Sequence, residues 1–243
     1  MELNIPSAET EQDVPSAPEL SAEHAALFRA MIAAGVAAGR KKSKTNPRMD
    51  KFVFTYTKGV AMFDVAETLT RIDASAAFLK KLKDEKQPVL MVGSQPAAQQ
   101  LVEEFAKRHG FLYITTRWLG GMLTNFKTIK ERIDYFKKLK EDKASGELDK
   151  YTKKERAGFD RLMKNMDYSF SGVEGIAGLP AALFAIDAEA HETAVREAKR
   201  LTIPIIAIMN NDNDPADIAY PIPANDNTRS SLAWIFERIE KGL

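Results

Sequence analysis

Cysteine is absent from the 243 residues, which removes disulfides and thiolate metal sites from consideration. Histidine occurs only at His24, His109 and His191, too widely spaced for a local metal motif, so no metal and no cofactor is expected. No apolar run approaches the roughly 20 residues of a membrane-spanning helix. The first 24 residues carry six acids and neither Lys nor Arg, the wrong charge for a signal or transit peptide. A cytoplasmic protein with no membrane partner is the expectation. The GxGxxG and GxxxxGK[ST] phosphate-loop patterns are missing as well.

What is present is an ordinary globular composition, 44% hydrophobic, enough for a substantial core in one domain or one domain with an appendage. The net charge of +1 conceals a segregation along the chain. Residues 1–24 have six acids and no base, giving −6; 40–58 have seven bases against one acid, giving +6. Residues 127–164 have thirteen bases against eight acids, giving +5, and 185–243 have six against ten, giving −4. If folding unites the basic segments, one part of the molecule suits a polyanion.

The opening residues 1–21, rich in Pro, Ser and Glu, predict a disordered acidic tail. Small and apolar residues from Ala22 to Ala38 suit a helix ending near Gly35 or Gly39, and Asn46-Pro47 marks a turn after the basic run GRKKSKTNPRM. Phe52–Tyr56 and Val60–Asp64 read as a hairpin across Thr57-Lys58-Gly59, followed by an amphipathic stretch over 65–85. Pro88–Ser94, Phe111–Thr115, Ala182–Asp187 and Pro204–Met209 are continuous apolar runs, mostly spaced by helical stretches. That pattern implies an α/β domain built on a mainly parallel sheet buried on both faces.

The connection between the second and third of these runs is more than sixty residues long, about twice a whole βαβ unit. Within it Phe126, Ile129, Ile133, Phe136 and Leu139 recur at three and four. ASGELDKY then interrupts, and Thr152 with Glu155 forms a capping box ahead of Phe159, Leu162, Met163 and Met166. Two helices folded back on each other fit best, each about 25 Å long. The division expected is therefore 22–116 with 170–243 as the α/β domain and 117–169 as a helical-hairpin insertion.

Catalytic chemistry is weakly signalled. VGSQPA has one glycine, and the glycines of GVEGIAGLP precede a strand where a phosphate loop would follow one. Asp64, Asp187 and Asp214 lie near strand ends but read better as caps or turn formers, and His109 before Gly110 reads as a helix end. No catalytic residue is assigned. The run GRKKSKTNPR is different: like charges packed this closely repel unless a polyanion neutralises them, which favours phosphate contacts at Arg40, Lys41, Lys42, Lys44 and Arg48. TTRWLGGMLTNF, from Thr115 to Phe126, sets a cation, an indole and a double glycine where the sheet gives way to the insert. Trp118, Gly120, Gly121, Thr124 and Asn125 are expected to form a structural corner, with Thr124 or Asn125 starting the first arm.

Arg117-Trp118-Leu119-Gly120-Gly121 followed by Leu123-Thr124-Asn125-Phe126-Lys127-Thr128 closely resembles the RWLGGxLTNxxT signature of the small-subunit ribosomal protein S-two family, bacterial type. Asn46-Pro47-Arg48-Met49, Val92-Gly93, Leu179-Pro180, Ile203-Pro204 with Asp214-Pro215, and Pro223 with Asn225-Asp226 resemble further family motifs in the same order. The likeness spans about Ala22 to Leu243. Departures fall at Arg40 (usually His), Thr45 (usually Trp), Gln95 (usually Lys), Ala181 (usually Asp) and Asn210-Asn211 (usually Asp-Thr). The resemblance implies a three-layer αβα, flavodoxin-like or Rossmann-like domain with a protruding two-helix coiled-coil hairpin. It also implies a non-enzymatic role on the ribosome, with ribosomal RNA and neighbouring small-subunit proteins as partners, among them the large S-one protein. Arg117 and, on the first arm, Lys127, Lys130, Arg132, Lys137 and Lys138 join the candidate RNA-binding residues. The competing expectation is a sugar-phosphate or nucleotide-binding α/β enzyme using VGSQ.

Overall fold

The computed structural model describes residues 22–243, so the expected acidic tail lies outside the described residues. Helix α1 (Ala22–Ala33) stops earlier than its composition suggests, because Gly35 turns the chain at φ +77° and leads it into strand β1 (Ala38–Lys41). That strand belongs to the basic run. AGRK has no strand-forming character, but it pairs antiparallel with β3 (Val60–Phe63), which also pairs with β2 (Val53–Thr57). The expected hairpin is therefore two-thirds of a three-stranded sheet in the order β1-β3-β2. Two 3₁₀ turns, Lys42–Lys44 and Pro47–Phe52, carry the chain from β1 to β2, and the Asn46 side chain accepts from the Arg48 amide.

Helix α2 (Val65–Asp84) begins at Asp64, whose carboxylate accepts from the amides of Ala66 and Glu67; that side chain is a cap. Strands β4 (Val89–Val92), β5 (Leu112–Ile114), β6 (Ala182–Ile186), β7 (Ile205–Met209) and β8 (Tyr220–Pro223) form a wholly parallel sheet in the order β5-β4-β6-β7-β8. The run Tyr220–Pro223 carries two prolines and was not foreseen as a strand. It is tolerated because β8 is an edge strand, bonded only to β7.

Alternation along each strand shows why the apolar runs are unbroken. Ala182, Phe184 and Ile186 enter one core cluster, while Leu183 and Ala185 enter the other. The first cluster is roofed by α2, α3 (Pro96–His109) and α7 (Arg229–Gly242), which supply Ile72, Leu79, Phe105, Leu232, Ile235 and Phe236. The second receives Ala194 and Ala198 from α6 (Glu192–Arg200), Met49 and Phe52 from the turn before β2, and Phe63 from β3.

Between β5 and β6 lie α4 (Phe126–Ala144) and α5 (Lys153–Phe170), which contribute Ile133, Phe136 and Met163 to one core cluster and are bridged by Lys143 to Asp160 and Lys140 to Asp167. The Thr152 and Glu155 capping box is present at the start of α5. Ile129, Ile133 and Phe136 are continuous with the second core cluster, so the base of the helix pair is fixed to the sheet face.

In this strand order β4 comes first in the chain and its successors lie on opposite sides, β5 to one and β6 to the other. A crevice opens beyond the carboxyl ends of β4 and β6, the position where open α/β sheets bind ligands.

Candidate nucleic-acid interface

The basic run divides into two populations. Lys41, Lys42 and Lys44 are exposed, and no carboxylate lies within 4 Å of their amines among the described residues. Lys42 also sits over the ring of Tyr56 at 4.9 Å, a contact that orients an ammonium without neutralising it. Exposed Lys51 and Lys58 extend the same positive face along the small sheet. Arg48 is exposed too, but it pairs with Asp214 at 2.7 Å, an exposed and weak contact that a phosphate can displace.

Arg40 turns the other way. Its guanidinium is hydrogen-bonded to Asp212 and lies 3.4 Å from Asp187 and 3.7 Å from Asp226. The backbone amide of Arg40 donates to Asn210 and Asn211, and the Asn211 amide donates to the Thr45 hydroxyl at 2.7 Å. Gln95 donates to Asp187 at 2.6 Å, so one network contains Arg40, Thr45, Gln95, Asn210 and Asn211. All but one of the departures from the family motifs thus meet around the same carboxylates. Arg40 and Gln95 both face Asp187, the cation at 3.4 Å and the amide at 2.6 Å. Gly39 is required by this packing, since a Cβ there would stand 2.8 Å from Asn211 Oδ1.

Asp226 lies at the bottom of the network, fully buried, with Oδ1 accepting from Asn210 and Oδ2 unpartnered among the described residues. Burial, reinforced by the neighbouring acids Asp187 and Asp212, raises its pKa to about 6 against the pull of Asn210 and Arg40. A carboxyl raised from 3.8 contributes stability that is complete below its unfolded value and is lost as pH rises through about 6. Asp226→Asn should therefore flatten the stability curve between pH 4 and pH 7. At pH 7 it should be no less stable than the parent, because the amide carries no charge to desolvate. Urea midpoints measured across that range check this.

The other candidate cations lie on the insert. Lys127 and Arg132 are exposed without an ion pair among the described residues, whereas Lys130 is partly buried beside Asp134 at 3.5 Å. On the same arm Lys138 is exposed and Lys137 half-buried. Arg117 is exposed and has no carboxylate within 4 Å among the described residues.

The corner around Trp118 is held by a residue that the sequence did not single out. Glu197, on α6 and only 8% exposed, accepts from Trp118 Nε1 at 3.1 Å and the Gly121 amide at 2.8 Å through one oxygen. Through the other it accepts from the amides of Leu123 at 3.0 Å and Thr124 at 3.1 Å, and from the Thr124 hydroxyl at 3.2 Å. Consecutive amides turned onto one anion require a tight backbone, which Gly121 provides at φ +88°. Thr124 therefore serves the corner rather than capping α4. Asn125 occupies the cap position of that helix with no side-chain bond. One signal was available: Glu197 shares the buried face of α6 with Ala194 and Ala198, an acid inside an alanine stripe.

VGSQ is explained by packing. A Cβ at Gly93 would stand 2.9 Å from Val102, so glycine lets α3 lie close on the sheet. Asp187 binds the amides of Glu189 and Ala190, and Asp214 binds that of Ala216.

These features define a class: a flavodoxin-like α/β domain, with an inserted helix pair and an exposed lysine edge suited to polyanions. Comparison with known proteins is more specific. The family model described as Ribosomal protein S2 matches residues 31–243, and the chain belongs to that family. It is 40% identical over 217 residues to the small ribosomal subunit protein uS2 of Dictyoglomus turgidum, covering 89% of this chain and 88% of that one. It is likewise 40% identical over 216 residues to uS2 of Petrotoga mobilis (89% and 75%) and 38% identical over 217 residues to uS2 of Fusobacterium nucleatum (89% and 88%).

Proposed function

We propose that this protein is a structural, non-enzymatic constituent of the small ribosomal subunit, acting in the cytoplasm in translation and binding ribosomal RNA mainly through phosphate contacts. Family membership supports the ribosomal role. The observation that carries the binding mode is the exposed, unpaired set Lys41, Lys42 and Lys44, at the end of β1 and in the 3₁₀ turn after it, directly beside the clamp of Arg40 on Asn210, Asn211 and Asp212. Cations on an anchored edge meet a phosphate backbone with little ordering cost. Arg117, Lys127, Lys130, Arg132 and Arg48 are the further candidate RNA contacts, while Arg40 serves as the anchor.

The division at 117–169 is read as an insertion that reaches RNA or neighbouring small-subunit proteins, the S-one protein being one candidate partner. An α/β enzyme is the weaker reading, because Asp64, Asp187 and Asp214 are all engaged in caps and turns. Sedimentation of a cell lysate on a sucrose gradient tests the role. The protein should travel with small-subunit particles, and confinement to the ribosome-free fractions would sink the proposal.

A further inference from the structure

The crevice at the carboxyl ends of β4 and β6 holds a cavity of about 600 Å³, lined by Ser94, Gln99, Arg117, Trp118, Tyr168 and His191 with neighbouring small residues. That is the volume range of small-molecule sites. None of its lining residues is acidic, although acids fill the adjoining groove near Asp212 and Asp214. Its one cation, Arg117, has no carboxylate partner among the described residues. Two aromatic side chains flank it: Trp118, half-buried and tethered through Nε1 to Glu197, and Tyr168, 66% exposed, on the second insert helix. The Thr116 hydroxyl donates to the Tyr168 carbonyl and ties that helix to the rim.

At the back of the cavity stands His191, only 3% exposed. The Ser94 amide donates to its Nε2 at 3.2 Å, so that nitrogen must present a lone pair. Burial holds the ring below its ordinary pKa and therefore neutral, which leaves the proton on Nδ1. Nδ1 has no hydrogen-bond partner among the described residues and is not one of the sealed, unpartnered atoms, so it keeps some exposure on a side chain that lines the cavity. A donor open to an acid-free cavity is available to an acceptor on a ligand.

We infer that this cavity binds a single nucleotide, with its phosphate on Arg117, its base against Trp118 and Tyr168, and an acceptor atom on His191 Nδ1. Phosphate, aromatic base and hydroxyl-rich sugar together match a lining that combines a cation, two aromatic rings and several hydroxyls. The occupant is an unpaired nucleotide of RNA or a free nucleoside monophosphate, which share this chemistry. The RNA source rests on the function proposed above; the cavity's preference does not.

The protein has two tryptophans, so the two indole N–H resonances in a ¹⁵N spectrum are assigned with Trp234→Phe. Titration with 5′-AMP should shift the Trp118 signal and leave that of Trp234 in place, with adenosine binding about tenfold more weakly for want of the phosphate. Arg117→Ser should weaken 5′-AMP about tenfold. Ala190→Phe, which fills the exposed side of the cavity without altering charge, should abolish the shift while leaving the melting temperature unchanged. Pentaadenylate saturating the Trp118 shift at lower concentration than 5′-AMP identifies RNA as the source; the reverse order identifies a free nucleotide, and either supports the cavity. No Trp118 shift with either ligand, or a shift that survives both variants, overturns the inference. Changing Lys41, Lys42 and Lys44 to Ser should leave 5′-AMP binding intact. A failed cavity with normal lysine-dependent RNA binding would refute this site alone.

Discussion

Replacing Glu197 with Ala is expected to lower the unfolding free energy by about 4 kcal/mol, because a buried anion and its whole set of donors are lost together. The amide of Leu123 is enclosed, and the amides of Gly121 and Thr124 and the Trp118 indole aim at the same two oxygens. Removing the carboxylate leaves those donors converging on nothing. Glu197→Gln should not rescue the corner: each carboxylate oxygen receives at least two donors, and an amide must turn its NH₂ against one set. Burial alone would raise the pKa of Glu197. The donors from Trp118, Thr124, Gly121 and Leu123 outweigh it and hold the carboxyl below the ordinary glutamate value. Stability from this group is thus present at neutral pH and is lost as pH falls through that lowered value. Urea denaturation at pH 7 and pH 3 should show the parent losing stability in acid, with a smaller loss in Glu197→Ala. Equal loss in both would mean the corner does not depend on this charge.

Changing Lys41, Lys42 and Lys44 together to Ser should reduce the slope of log affinity against log salt for a small-subunit RNA fragment by about 2 to 3, since each lost phosphate contact releases about 0.7 to 0.9 fewer counterions. Affinity near physiological salt should fall about 10- to 100-fold with the melting temperature unchanged, because these side chains are exposed and unpaired. Filter binding at several salt concentrations measures both. An unaltered slope would reduce the run to a solvated loop. Arg40 is left out deliberately. Its replacement would leave Asp187, Asp212 and Asp226 facing one another without a cation, so lost RNA binding could not be separated from lost folding.

Much of the architecture was readable because strand burial leaves a mark that composition preserves. ALFAI and IIAIM are apolar at every position since both faces of β6 and β7 are covered. The insert was legible for a related reason: its periodicity at three and four and the Thr152 and Glu155 box are local properties of helices. Strands β1 and β8 were not legible. AGRK and YPIP have poor intrinsic strand character and are extended because a neighbour offers hydrogen bonds, β3 in one case and β7 in the other.

The candidate interface shows the same division. Sequence by itself determined that a dense cationic run exists, that it lies beside Asn46-Pro47, and that RWLGG marks the junction of sheet and insert, because charge density and motif are properties of neighbouring residues. Only the tertiary structure decided which cations are free. Arg40 and Lys41 are adjacent in the chain, but alternation along a strand sends one guanidinium inward to Asp212 and leaves the next ammonium in solvent. It likewise decided that the anion organising RWLGG is Glu197, more than seventy residues away, since α6 reaches the corner only after β6 has taken its place in the sheet. Which charge meets which is set by long-range packing, and no local pattern encodes it.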